Sequence, residues 1–166
     1  MNTLLLLSED QIGHNMAQYI QGAFKPQNPT KYIGKHTPRY RSGWELAFMR
    51  MCDNHPHILA WASEAYRIPY INPVTGKRTQ YVPDFFMIYE DKNGKKHAEV
   101  IEVKPNSQIM GNARSNHDKM HAVVNEAKWK MARQWANQQG LGFRVITENE
   151  IFNKPSKPKT KRRRRR

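Results

Sequence analysis

Apolar and polar positions change period several times along this 166-residue chain, and each change marks an element. Over residues 42–53, Trp44, Phe48 and Met51 recur at helical spacing behind Ser42, a good N-cap, which predicts a short helix. Residues 58–70 form an apolar run suited to a strand or two, broken by Pro69, and residues 72–77 (N-P-V-T-G-K) read as a turn. Residues 85–89 and 98–103 are strands joined by a tight turn at Asn93-Gly94. A long helix is expected over 116–139, with Met120, Val124, Ala127, Met131 and Trp135 as its buried stripe and Gly140 ending it. Residues 143–147 are a final strand. Strands interleaved with helices predict an α/β fold with a mixed central sheet flanked by helices.

The turn near Gly94 decides which side chains meet. A two-residue Asn-Gly turn would set Phe85 opposite Glu102 and leave Asp84 on the other face. A three-residue loop, Lys92-Asn93-Gly94, closed by a left-handed glycine, pairs Asp91 with Lys95 instead. Asp84 then stands opposite Glu102 with Lys104 on the same face, expected to be open to solvent, while Ile101 and Val103 point together into a core.

Charge narrows the partners. The formal net charge is +14, and residues 154–166 hold nine of the 28 Lys and Arg with no acid. The remaining 19 bases and 14 acids leave the body at +5. A mildly basic body with a strongly basic end favours a polyanion, most often nucleic acid. The single cysteine, Cys52, excludes an internal disulfide and suits a reducing compartment. The apolar run at residues 4–7 is too short for a membrane span or a signal sequence, so no membrane partner is expected. Residues 1–24 read as a packing or docking extension. Residues 25–39 form a Pro/Asn/Gly-rich loop that either brushes phosphates or is simply solvated, and 153–166 form a basic tail of disordered composition.

A Glu-x-Lys triplet alone carries little weight, because a surface ion pair along a strand explains it equally well. Glu90-Asp91-Lys92 is a decoy that falls in the turn. Asp84 opposite Glu102 changes the balance. Two carboxylates and the Val103 carbonyl suit a hard divalent ion, Mg²⁺ or Mn²⁺, which would acidify a bound water and polarise a phosphate. Lys104 beside them would offset charge developing on phosphorus. Glu45 keeps two readings: a capping box with Ser42, or a third acid over the same face. Glu64 is expected to be a surface or ion-paired residue. Lys128, Lys130 and Arg133 lie on charged helix faces that are either solvated or turned toward DNA. His117 and His121 have the spacing of a metal pair but no third ligand.

Pro83-Asp84 followed by Glu102-Val103-Lys104, with an upstream helical Glu45, resembles the PD-(D/E)xK nuclease superfamily. The segments F-K-P-Q-N-P-T-K-Y-I-G, R-S-G-W-E-L-A-F-M-R-M-C-D, I-L-A-W-A-S-E-A-Y-R-I-P-Y, N-P-V-T-G-K and Y-V-P-D-F resemble the head-completion nuclease family of T-even-type tailed phages. That family is related to the endonuclease subunit of TnsA-like transposases. The resemblance implies a restriction-endonuclease-like core over residues 25–152, between the 1–24 extension and the 153–166 tail. It implies Glu45, Asp84, Glu102 and Lys104 as catalytic residues, and Glu45, Asp84, Glu102 and Val103 as metal ligands. It further implies a metal-dependent nuclease that cuts or trims packaged double-stranded DNA alongside phage portal and head-completion proteins. Its place would be the cytoplasm of the infected host or the head–tail connector of the virion. Lys128, Lys130, Arg133 and the tail bases Arg162, Arg163, Arg164, Arg165 and Arg166 are the expected DNA contacts. The rival readings are a structural head-closure protein with a vestigial nuclease fold, and a transposase-type or junction-resolving endonuclease.

Overall fold

The computed structural model describes residues 20–109 and 115–151. The tail, with Arg162 to Arg166, and residues 1–19 of the extension lie outside them. A four-stranded sheet in the order β3-β6-β7-β8 is the centre of the molecule, built from Ile58–Ser63, Phe85–Glu90, Lys96–Val103 and Gly142–Ile146. β3, β6 and β7 run antiparallel, and β8 pairs with β7 in parallel, so the sheet is mixed. A parallel neighbour needs a crossover, and α2 (Asn116–Gln138) supplies it.

Helix α1 (Gly43–Asn54) begins at Ser42, whose side chain accepts the Glu45 N–H. It closes where the His55 N–H reaches the Met51 carbonyl, one residue before Pro56. Its apolar face buries Ala47, Phe48, Met51 and Cys52 against Phe85, Met87, Ile101 and Val103. On the opposite face of the sheet, Phe86 and Val100 pack toward Trp135 and Phe143. Strands covered on both sides explain why β6 reads as an almost unbroken apolar run.

Two expectations need correction. Pro69 does not break the strand: it lies inside β4 (Ile68–Ile71), opposite Gln80 of β5 (Arg78–Tyr81). That pair is a separate two-stranded ribbon, where a missing N–H disturbs no central ladder. The buried stripe of α2 is also different. Ala127 and Trp135 of the expected stripe pack partly buried against the core. The fully buried residues, however, are Ala122, Asn125, Trp129, Ala132 and Ala136, whereas Met120 is 56% exposed and Met131 lies at the surface. Ala132 lies small against the ribbon, and Trp129 packs among Ile68, Tyr70 and Tyr81.

The 25–39 loop is pinned to the body. The buried Asp53 carboxylate accepts the Gln27 and Asn28 N–H groups, and Lys31 donates to the His55 carbonyl at 2.8 Å. Tyr32 forms an isolated bridge with Trp61, and the Ile33 N–H donates to the Trp61 carbonyl at 2.9 Å. Just before the loop, β1 (Gly22–Ala23) pairs with β2 (Arg39–Tyr40).

Candidate active site

The site begins with the β6–β7 hairpin. Gly94 has φ +76°, the Gly94 N–H reaches the Asp91 carbonyl, and the Asp91 N–H reaches the Lys95 carbonyl. This is the three-residue loop, and it pairs Phe85 with Ile101. One position further on, Asp84 stands beside Glu102.

Asp84 is held at both ends. Its carbonyl accepts the Glu64 N–H at 2.9 Å, extending the β3–β6 ladder by one bond. Its carboxylate accepts the Val103 N–H at 2.8 Å through Oδ2. The expectation of an open face fails at Glu102, which is only 3% exposed. Even-numbered residues of β6 and β7 face the side covered by α2 and the ribbon, so Glu102 lies beneath Tyr81. The Tyr81 hydroxyl donates to Glu102 Oε2 at 2.7 Å, and Lys104 Nζ stands 3.1 Å from Oε1.

Burial and the nearby Glu102 charge push the Asp84 carboxyl well above its ordinary range, and Glu45 adds to the effect. Lys104 moves upward: burial opposes its charge, but the Glu102 and Asp84 carboxylates outweigh that cost. Burial and the same Glu102 charge raise the Tyr81 phenol, which therefore stays a donor.

Glu45 holds the cap while remaining within electrostatic reach of Asp84. Its Oε2 accepts the Arg41 N–H at 2.8 Å, where the capping box had pointed to the Ser42 N–H, and the Ser42 hydroxyl bonds Oε1 at 3.1 Å. Asp84, Glu102 and Lys104 thus meet as a cluster, and Glu45 at the start of α1 is near enough for its charge to act on Asp84 and Lys104. Among the described residues no three His, Cys, Asp or Glu side chains are already gathered as a metal cage. The His117 and His121 rings lie close but tilted by 55°, with Nε2 atoms 3.1 Å apart. Glu64 pairs with Arg41, as an ion-paired surface acid should, but its φ of +51° is unusual for a residue with a side chain.

Sequence reasoning missed Tyr81 and Arg41. Tyr81 shows in the chain only as the end of a strand, and no period marks a hydroxyl that will find a carboxylate. Of the expected DNA contacts, Lys130 and Arg133 are exposed, and Arg133 bonds Glu126 at 3.3 Å. Lys128 is half-buried.

The donor set fits a hard divalent ion. Burial and the neighbouring Glu102 charge hold the Asp84 carboxyl well above normal, which a bound cation would reverse. Asp84, Glu102 and the Val103 carbonyl would hold it, with Glu45 nearby. When bound, such an ion supplies a Lewis acid and an acidified water. Asp84 is preset by two backbone bonds, and Tyr81 fixes the rotamer of Glu102. Lys104 keeps its proton, so it can face negative charge developing on a phosphorus. Among the described residues no helix is long and apolar enough to cross a membrane.

The chain is 34% identical over 142 residues to the head completion nuclease of Enterobacteria phage T4, covering 78% of this chain and 92% of that protein. Residues 55–148 match the TnsA-like endonuclease N-terminal family, a span that takes in Asp84, Glu102 and Lys104 and leaves Glu45 outside. With a mixed sheet between helices and a hairpin carrying Pro-Asp and Glu-x-Lys, the chain belongs to the TnsA-like endonuclease family and has the PD-(D/E)xK fold.

Proposed function

We propose that this protein is a Mg²⁺- or Mn²⁺-dependent DNA nuclease of phage head completion, which cuts or trims packaged double-stranded DNA at the head–tail junction. The observation that carries the reading is the Asp84–Glu102–Lys104 cluster on one sheet face, set by the hairpin register. Asp84, Glu102, the Val103 carbonyl and Glu45 act as metal ligands, and Lys104 stabilises charge on the scissile phosphate. Residues 25–152 form the working domain. Lys130, Arg133 and Arg162 to Arg166 add sequence-independent phosphate contacts, and the protein meets portal and head-completion partners in the host cytoplasm or at the connector.

The test incubates purified protein with linear and supercoiled duplex DNA, in Mg²⁺, in Mn²⁺ and in chelator. Cleavage should need the ion, and Asp84→Ala and Lys104→Ala should each abolish it while circular dichroism stays unchanged. Nicking of supercoiled DNA separates endonuclease from exonuclease action. Cleavage by Asp84→Ala at the wild-type rate would remove the assignment, and no cleavage by the wild type under any condition would favour a structural head-closure protein.

A further inference from the structure

Of the three α2 bases expected to contact DNA, Lys128 turns toward the β4–β5 ribbon. Its stem is half-buried, and its Nζ lies 5.9 Å from the centre of the Tyr70 ring and 5.8 Å from that of Tyr81. The far end of the Tyr81 ring is the hydroxyl that holds Glu102. Lys128 thus stands over the face of the ring whose hydroxyl edge meets the carboxylate, close enough for the charges of Lys104, Glu102 and Asp84 to act on it. Among the described residues no carboxylate lies within 4.0 Å of it. Two aromatic faces attract an ammonium but accept no strong hydrogen bond, so its three N–H donors remain available to an anion. Burial without an acid partner is costly for a lysine that serves packing alone.

We propose that Lys128 is a second lysine of the site, a substrate-positioning residue that binds the DNA phosphate next to the one that is cut. Tyr81 joins the two halves: its hydroxyl orients Glu102 and its ring seats Lys128. The inference rests on the nuclease reading, with Lys104 on the scissile phosphate and Lys128 one phosphate along the same strand. A solvated base would instead give a diffuse contact shared among many phosphates.

The test uses the full-length protein and a duplex whose cleavage position has been mapped. Lys128→Gln should lower the log–log salt slope of DNA binding, measured in Ca²⁺, by about 0.9, the share of one phosphate. Single methylphosphonates, which neutralise one phosphate each, are then placed on either side of the cut. One beside the cut should slow wild-type single-turnover cleavage and have no further effect in Lys128→Gln. Lys128→Arg should restore the slope. DNA should also protect Lys128 of the wild type from reductive methylation, a measurement that needs no folded variant. Additive effects at every position, or an unprotected Lys128 in a wild type that cleaves, would overturn this inference and leave the nuclease reading standing. A wild type that never cleaves would remove both.

Discussion

Both oxygens of Glu45 are occupied before any ligand arrives, one by the Arg41 N–H and one by the Ser42 hydroxyl. Capping and acid chemistry therefore compete for one carboxylate, and two substitutions separate them. Glu45→Ala loses the acceptor and the charge, so it should cost roughly 1 kcal/mol of stability and also weaken cleavage. Glu45→Gln keeps an acceptor for the Arg41 N–H, so its melting temperature should stay near wild type while cleavage falls. Thermal unfolding and single-turnover rates read the two effects. Wild-type cleavage by Glu45→Gln would return the residue to its cap alone. At this scale the chain showed what repeats or flanks a recognisable break: Ser42-x-x-Glu45, Pro83-Asp84, Glu102-x-Lys104. It hid Tyr81, whose role depends on a ribbon folding over the sheet.

The β6–β7 hairpin was the most legible element, because the choice of loop decided its register. Asp91 reinforces it: Oδ1 accepts the Asn93 and Lys95 N–H groups, and Oδ2 meets His97 Nε2 at 2.8 Å. The His97 bond and these two N–H groups pull the Asp91 carboxyl down to about 2. A depressed carboxyl stabilises the fold above its unfolded value, about 3.9, and that contribution disappears as pH falls through about 2. Asp91→Ala should therefore melt lower than wild type at neutral pH, and the two should converge as pH drops from about 4 toward 2. A difference constant across that range would mean that the charged form adds nothing. Helix α2 was legible in extent but only in part in facing. Met120 and Met131 carry the larger apolar side chains, yet the alanines are the buried ones, because small residues permit close approach.

For the whole molecule the question is where its charge acts. Nine of the 28 bases lie in residues 154–166, away in sequence from Asp84, Glu102 and Lys104. Deleting that stretch should lower DNA affinity and flatten its salt dependence, by about 0.9 of log–log slope per lost phosphate contact, while turnover at saturating DNA persists. Binding isotherms at several salt concentrations, with and without the stretch, measure this, and identical slopes would assign the arginines to a protein partner. The alternation of helices and strands was enough to indicate the layered architecture. Tertiary pinning such as that of Asp53 on the 25–39 loop leaves no local pattern, so the loop's part in the fold could not be read from the chain.

That pinned loop also bears on self-association. An exposed edge strand is a template for another chain, and such edges favour aggregation unless they are covered or charged. Tyr32 and Ile33 lie along the outer side of β3, with the Ile33 N–H already spent on Trp61, so a second molecule finds that edge taken. At the other end of the sheet, β8 carries Arg144, ion-paired with Glu99 at 2.8 Å. Among the described residues, one edge is closed by a segment of the chain itself and the other carries the Arg144–Glu99 ion pair, two features that discourage edge-to-edge pairing.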